Sequence, residues 1–271
     1  MTEARMQETA GYKPGTFCWV ELATTDGKAA KKFYTELFSW TGNDMPVGPG
    51  MTYTILLLDG QEGKDVGALF QMTPEMRAQG IPPNWLSYVS VTNADESAAK
   101  AKELGATLMK EPFDVMDVGR MAVIQDPTGA VFAIWQAGAH KGASVVNVPG
   151  SLVWNELATT DAAKDGAFYD GLFGWKADAQ DFGGMKYTIF QHGERGAGGM
   201  YELTPEMAGV PPHWLVYFSV DDCDAKVKKA TELGAKTIKP ADDIPGVGRF
   251  AILQDPQGAY FAVIKTEPAP A

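Results

Sequence analysis

Two stretches of the chain share seven of eight residues: WVELATTD at positions 19–26 and WNELATTD at positions 154–161. The similarity continues outward, with 12 identities in the 22 aligned positions of 19–40 and 154–175. Repetition at this level means that one structural unit occurs twice in the chain. The chain is therefore expected to consist of two homologous halves.

The repeat extends to the ends of both halves. QDPTGA at 125–130 returns as QDPQGA at 254–259, and the offset between the copies falls from 135 to 129 residues along the way. The stretch between the copies is short and rich in Gly and Ala, as is typical of a linker. We predict two domains with the boundaries 12–137 and 147–265.

Each half also contains a weaker repeat of its own. In the first half, a β-type run at 16–22 ends at Thr25-Asp26, where Asp can cap a helix. Apolar residues then recur at helical spacing between Ala30 and Phe38, and strand-like runs follow. The order restarts with a strand at 86–91. The sequence thus predicts an α+β fold made of four βαβββ units.

Composition excludes several classes of function. With 23 Lys and Arg against 34 Asp and Glu, the formal net charge is −11, which argues against binding to nucleic acid or to an anionic membrane surface. The two cysteines, Cys18 and Cys223, are too far apart for a redox pair and are expected to be reduced thiols. We expect a soluble, cytoplasmic protein.

The order of these motifs resembles the vicinal oxygen chelate superfamily, which includes glyoxalase I, extradiol dioxygenases and bleomycin-binding proteins. The resemblance rests on the Asp-capped helix that carries Phe33-Tyr34, on three following strands, and on the turn Asp126-Pro127-Thr128-Gly129, all of them repeated in the second half. It implies that paired βαβββ units form two curved mixed sheets, with concave cups inside and helices outside.

Enzymes of this superfamily hold one metal ion in the cup through His, Gln or Glu. Here the matching positions hold only residues that cannot ligate a metal: Trp19, Leu86, Trp154, Leu215, Ala133 and Ala262. Glu202 lies on a strand that resembles a ligand-bearing strand, but no imidazole accompanies it. The three histidines, His140, His192 and His213, are expected to be exposed or to lie in turns. We therefore predict neither a metal ion nor a cofactor.

The alternation of strand residues assigns the side chains that face the cups. Glu21 and Glu156 are the candidate catalytic residues. The candidate substrate-binding residues are aromatic, aliphatic or small, with one arginine per half: Trp19, Leu86, Tyr88, Ala133, Trp135 and Arg120 in the first half, and Trp154, Leu215, Tyr217, Tyr260, Ala262 and Arg249 in the second.

The roles of the charged candidates stay open at this stage. Glu21 and Glu156 are proton shuttles, anchors for a ligand, or carboxylates paired with a neighbouring strand's Tyr or Arg. Arg120 and Arg249 either meet an anionic ligand at the cup mouth or pair across the sheet at a β-turn. Asn155 is polar, although strand alternation places it among residues that face away from the cup, and the sequence gives no evident reason for a polar residue there.

Two hypotheses for function follow. The first is a metal-independent binder of a small, largely apolar or aromatic molecule, similar to the bleomycin-resistance branch. The second is a lyase or isomerase, glyoxalase-like, in which Glu21 or Glu156 acts as acid or base without a metal. In either case the two halves are expected to pair within one monomer, with homodimerisation left open.

Overall fold

Each half of the chain forms one eight-stranded mixed sheet in the computed structural model, which describes residues 11–182 and 185–267. The first half contains β1 (Phe17–Thr24), α1 (Gly27–Phe38), β2 (Trp40–Gly48), β3 (Met51–Leu58), β4 (Asp65–Gln71), α2 (Pro74–Ala78), β5 (Asn84–Ser90), α3 (Ala94–Glu103), β6 (Thr107–Val115), β7 (Gly119–Gln125) and β8 (Val131–Ala137). The second contains β9 (Leu152–Thr159), α4 (Ala162–Phe173), β10 (Lys176–Phe182), β11 (Met185–His192), β12 (Arg195–Glu202), a 3₁₀ turn (Pro205–Met207), β13 (His213–Ser219), α5 (Cys223–Glu232), β14 (Lys236–Ile244), β15 (Gly248–Gln254) and β16 (Tyr260–Thr266).

The strand order is the same in both sheets and joins two βαβββ units in each. In the first sheet the order is β2-β3-β4-β1-β5-β8-β7-β6, and the second sheet repeats it as β10-β11-β12-β9-β13-β16-β15-β14. The units meet where β1 pairs antiparallel with β5, and β9 with β13. The predicted α+β fold of four βαβββ units in two curved sheets is confirmed.

The helices begin where their capping residues predict. The side chain of Asp26 accepts a hydrogen bond from the Ala29 amide at the start of α1, and Asn93 caps α3 in the same way. One strand per half is not marked by an alternating pattern: β2 starts at Trp40, directly after the helix, and most of its residues are exposed. No helix among the described residues is long and apolar enough to cross a membrane.

The two halves are tied together by a reciprocal pair of buried hydrogen bonds. The Tyr34 hydroxyl on α1 donates to Asp255 Oδ2 at 3.0 Å, and the Tyr169 hydroxyl on α4 donates to Asp126 Oδ2 at 2.9 Å. Both aspartates open the Asp-Pro-x-Gly turns, so each turn binds the helix of the other half. The motif that supports the family resemblance thus also joins the two halves.

The centre of this interface explains Asn155. Its side chain is buried and its Oδ1 accepts a hydrogen bond from Ser87 Oγ of the first half at 2.6 Å. A buried amide needs such a partner, because an unpaired polar group costs about 1–3 kcal/mol. Asn155 therefore faces the other half and not a cup.

A buried carboxylate without a counterpart in the first half lies at the same interface. Asp165 on α4 is fully buried, and its Oδ2 accepts hydrogen bonds from Thr159 and Thr128. Its Oδ1 is buried with no hydrogen-bond partner among the described residues. Burial, followed by the nearby charge of Asp126, raises the pKa of Asp165 to about 6 from its ordinary value of 3.8.

Asp165→Asn is expected to stabilise the protein at neutral pH. Since the folded-state pKa is raised, this group's contribution to stability is fully present below about pH 4 and is lost as the pH rises through about 6. Removing the charge should raise the free energy of unfolding at about pH 8 by about 2–3 kcal/mol and flatten its pH dependence. Urea unfolding from about pH 4 to about pH 8 measures this; the exposed Asp178→Asn is the control. An unchanged pH dependence in Asp165→Asn would contradict the expectation.

Candidate functional site

A hydrogen-bonded network of four side chains lies at the floor of the first cup. The Trp19 indole Nε1 donates to the Tyr53 hydroxyl at 3.2 Å, and the Tyr88 hydroxyl donates to Glu21 Oε1 at 3.0 Å. Tyr53 is also hydrogen-bonded to Glu21. Strands β1, β3 and β5 contribute these residues, so the sheet's own register assembles the network.

The second cup repeats the network with the equivalent residues. The Trp154 indole Nε1 donates to the Tyr187 hydroxyl at 3.0 Å, and the Tyr217 hydroxyl donates to Glu156 Oε1 at 2.7 Å. Tyr187 is hydrogen-bonded to Glu156 as well. At Gly199, beside Glu156 in the sheet, a Cβ would overlap the Tyr187 hydroxyl, so the absence of a side chain there makes room for the network.

Both glutamates are half-buried, and both carboxyls are weaker acids than an ordinary glutamate. Burial raises the pKa of Glu21 and of Glu156, and the hydrogen bonds from the tyrosines lower it only in part. Burial and the adjacent carboxylate raise the pKa of Tyr88 and Tyr217 well above its usual range, so the phenols stay protonated. Each glutamate therefore accepts hydrogen bonds from two phenols and remains partly exposed.

Tyr53 and Tyr187 are the members of the networks that were not selected in the sequence analysis. A signal for them exists, because MTYTI at 51–55 recurs as MKYTI at 185–189. The repeat places a tyrosine at the same position of β3 and β11. Their contact with the glutamates depends on the strand register, which the sequence alone does not specify.

Most of the predicted cup residues come together. In the first half, Leu86 pairs with Glu21 and Ala133 with Tyr88 in the strand register, and Trp135 packs against the Tyr88 ring. In the second half the buried cluster contains Leu215, Tyr217, Phe250, Ala262 and Ile264, with Trp154 packed against it. Tyr260 lies apart from this cluster, 46% exposed at the start of β16. Phe250 is an aromatic member that the sequence analysis did not select.

The two arginines are engaged on the helix side of the sheets. Arg120 forms ion pairs with Asp95 of α3 at 2.8 Å and with Asp114 of β6 at 2.9 Å. Arg249 repeats this arrangement with Asp224 and Asp243. Of the two alternatives, the structure shows the pairing across the sheet, because Arg120 is opposite Asp114 in the register. Neither arginine is part of the cup floor.

The residues present in the cups do not fit the metal ion that the fold family implies. Each floor offers one carboxylate, held by two phenols, among indole, aliphatic and methyl groups, whereas such a metal needs several converging N, O or S ligands. Within residues 11–182 and 185–267, no three His, Cys, Asp or Glu side chains are grouped so that they could hold a metal ion. Glu202 is exposed at the end of β12, 3.4 Å from the Ala162 amide.

His140 was expected to be exposed or to lie in a turn, whereas the structure shows it half-buried, between the linker and the first cup. Its ring packs edge-on against Trp19 with centroids 4.5 Å apart, and also lies near Trp135. Burial lowers the pKa of His140, so the imidazole favours its neutral form. The linker thus closes over the first cup, where Trp19 is 4% exposed, whereas Trp154 in the second cup is half-buried.

Two relatives resemble the chain over nearly its whole length. It is 44% identical over 265 residues to CFP32 of Mycobacterium tuberculosis (strain CDC 1551 / Oshkosh), which is named as a glyoxylase, with 97% of this chain and 99% of that protein covered. It is 36% identical to the anthracycline biosynthesis protein DauV of Streptomyces sp. (strain C5), covering 95% of this chain and 96% of that protein.

Solved structures and family models agree on the fold. The chain superposes on a Mn(II)-bound glyoxalase from Novosphingobium aromaticivorans with a TM-score of 0.64 at 15% identity, covering 93% of this chain and 82% of that one. The 2,3-dioxygenase LapB from Pseudomonas sp. KL28 matches with a TM-score of 0.62 at 11% identity, covering 97% of this chain and 95% of that one.

The model of the Glyoxalase-like domain matches residues 19–135, and that of the Glyoxalase/Bleomycin resistance protein/Dioxygenase superfamily matches residues 135–263. The chain therefore belongs to the glyoxalase/bleomycin resistance protein/dioxygenase superfamily, with two of its domains in tandem.

Proposed function

We propose that this glyoxalase-like protein binds a small, largely apolar or aromatic organic molecule in the cups of its sheets, without a metal ion, as bleomycin-resistance proteins sequester a ligand. The observation that supports this is the duplicated network: a carboxylate held by two phenols beside an indole. Indole and phenol rings favour planar apolar molecules, and one fixed acceptor orients them.

The two glutamates favour a ligand that carries a hydrogen-bond donor. A carboxylate oxygen offers more lone pairs than two phenol protons use, so Glu21 and Glu156 can each accept a further hydrogen bond from a ligand hydroxyl, amine or ammonium. One relative is named as an anthracycline biosynthesis protein, and a planar, polycyclic ligand is consistent with that name.

The second candidate function is a metal-independent lyase or isomerase in which Glu21 or Glu156 moves a proton. The raised pKa of both carboxyls favours it, because a general base works best when its pKa lies nearer the operating pH. The relative named as a glyoxylase is compatible with this chemistry.

Native mass spectrometry of freshly purified protein, together with elemental analysis, tests the first proposal. The expected result is a retained organic molecule and no stoichiometric zinc, iron, nickel or manganese. A stoichiometric metal would contradict the metal-independent function. Soaking the protein with each metal and repeating the assay extends the test to a metal lost during purification.

Glu21→Gln and Glu156→Gln separate the two functions. For a binder, each substitution should weaken affinity about three- to tenfold, since it exchanges a charged acceptor for a neutral one. For an enzyme, turnover should fall by about 10²-fold or more, and the wild-type rate should increase with pH through a pKa above that of an ordinary glutamate. Titration and a pH–rate profile measure this, with the exposed Glu202→Gln as the matched control. Unchanged binding and turnover in both variants would contradict both functions.

We also propose that the protein acts as a cytoplasmic monomer whose halves pair internally. The two buried free thiols, Cys18 and Cys223, support a reducing compartment. The reciprocal hydrogen bonds between the halves support internal pairing, because each half provides the contacts that a second subunit would otherwise supply.

A further inference from the structure

A cavity of about 960 Å³ lies beside the second cup, between the two halves. Its walls are residues 11–13 and 15–17 at the start of the first half, Val146 and Asn147 of the linker, residues 152–155 at the start of β9, and residues 192–197 around the turn between β11 and β12. His192 Nε2 donates to the Pro14 carbonyl at 3.0 Å and so links two of these walls. Of the second network's members, only Trp154 lines this space.

The first half shows what lies in the corresponding space there. The linker passes the starts of β1 and β4, where the Ala143 amide donates to the Cys18 carbonyl at 2.7 Å and the Ser144 amide to the Asp65 carbonyl at 2.8 Å. Cys18 and Val153 are equivalent by the repeat. Among the described residues, the linker thus occupies this place in the first half, whereas a cavity lies there in the second.

The charges on the cavity's wall favour an anion. Lys13 and Arg195 are exposed there, against the single carboxylate Glu194, in a protein whose net charge is −11. None of the ion pairs found among the described residues uses Lys13 or Arg195, whereas Arg120 and Arg249 each form two. With no ion-pair partner in the part of the chain that the structure describes, the Arg195 guanidinium is available to a ligand carboxylate or sulfonate.

An aromatic surface lies beside these cations. The Trp154 indole packs against Gly196, where an added Cβ would be only 3.0 Å from the ring, and the ring's remaining surface borders the cavity. Leu152 and Val153 add apolar wall. Flat apolar surface with cations close by is complementary to a planar ring that carries a negative group.

We propose that this cavity is a binding site for an aromatic anion, with the ring against Trp154 and the negative group at Arg195 and Lys13. This goes beyond the proposed function, because the site lies outside the two carboxylate networks and shares only Trp154 with them. It also assigns the two halves different roles: the second takes this ligand and the first is closed by the linker.

Two fluorescent probes with the same ring system test the proposal: 8-anilinonaphthalene-1-sulfonate, an anion, and N-phenyl-1-naphthylamine, which lacks the sulfonate. Wild-type protein should bind the anion, and Arg195→Gln and Lys13→Gln should each weaken that binding about three- to tenfold without affecting the neutral probe. Both residues are exposed, so these variants should fold normally. Arg77→Gln, outside the cavity, is the charge-matched control and should have no effect.

Trp154→Phe tests where the aromatic ring of the probe lies. It should weaken the binding of both probes about threefold or more. Failure of the wild type to bind the anion at millimolar concentration would overturn the proposal, as would equal binding by Arg195→Gln and wild type. An unchanged affinity of Trp154→Phe for the anion would overturn it too, and would leave the proposed ligand binding in the first cup unaffected. The cups are tested separately by Glu21→Gln and Glu156→Gln.

Discussion

Asp126→Ala is expected to lower the free energy of unfolding by about 3–5 kcal/mol, because one buried carboxylate serves the turn and the interface at once. Its Oδ1 accepts hydrogen bonds from the amides of Thr128, Gly129 and Ala130. Its Oδ2 accepts the Tyr169 hydroxyl from the other half. Alanine would leave all four donors without this acceptor, and two of them, the Ala130 amide and the Tyr169 hydroxyl, are buried.

Chemical denaturation of a small set of variants measures this and separates the two roles. Tyr169→Phe leaves the turn amides in place and removes two hydrogen bonds of the Tyr169 hydroxyl, the one to Asp126 and the one from the Trp214 indole. It should lose about 1–3 kcal/mol. Asp255→Ala, the equivalent change in the second half, should resemble Asp126→Ala, because Asp255 accepts the same turn amides and the Tyr34 hydroxyl. If Asp126→Ala were no more destabilising than Tyr169→Phe, the turn's hydrogen bonds would contribute nothing, contrary to this account.

Gly142→Val is expected to destabilise the protein by about 2–4 kcal/mol and to lift the linker away from the first half. Gly142 has φ of +108°, which β-branched residues rarely adopt, and a Cβ there would lie 2.5 Å from the Cys18 carbonyl oxygen and 2.9 Å from the Tyr12 ring. Because the His140 ring that covers Trp19 is only two residues away, displacement of the linker should expose the indole.

Acrylamide quenching of tryptophan fluorescence and denaturant unfolding check this prediction together. Gly209→Val is the matched control, since Gly209 has φ of +93° but no atom within 4 Å of the added Cβ. Gly209→Val therefore measures the destabilisation that comes from backbone strain alone, without a steric overlap of the added side chain. Equal destabilisation of both variants, with no increase in quenching, would mean that the linker does not close the first cup.

These expectations depend differently on sequence and on tertiary structure. The repeat of WVELATTD and the paired Asp-Pro-x-Gly turns were sufficient to predict two tandem domains of βαβββ units. Their residues act locally: Asp26 caps the helix that follows it, and Asp126 binds the amides of its own turn. Local hydrogen bonds of this kind leave a readable pattern because donor and acceptor are a fixed number of residues apart.

The cup residues could be predicted in part. Strand alternation placed Trp19, Glu21 and Tyr88 on one face, and in the structure the Tyr88 hydroxyl donates a hydrogen bond to Glu21. Tyr53 was not selected, because its contact with Glu21 joins strands 32 residues apart whose register is set only in the folded sheet. The role of Arg120 stayed open for the same reason, because its partner Asp95 is 25 residues away on a helix.

By itself, then, the sequence determined the family, the tandem arrangement, the order of strands and helices and the aromatic character of the cups, because these follow from side-chain period and short-range hydrogen bonds. Only the tertiary structure decided that the Asp-Pro-x-Gly turns bind the helices of the opposite half, that the linker covers Trp19 and that a cavity adjoins Trp154. These features arise where distant segments pack together, and the two halves, though alike in sequence, have different segments beside them.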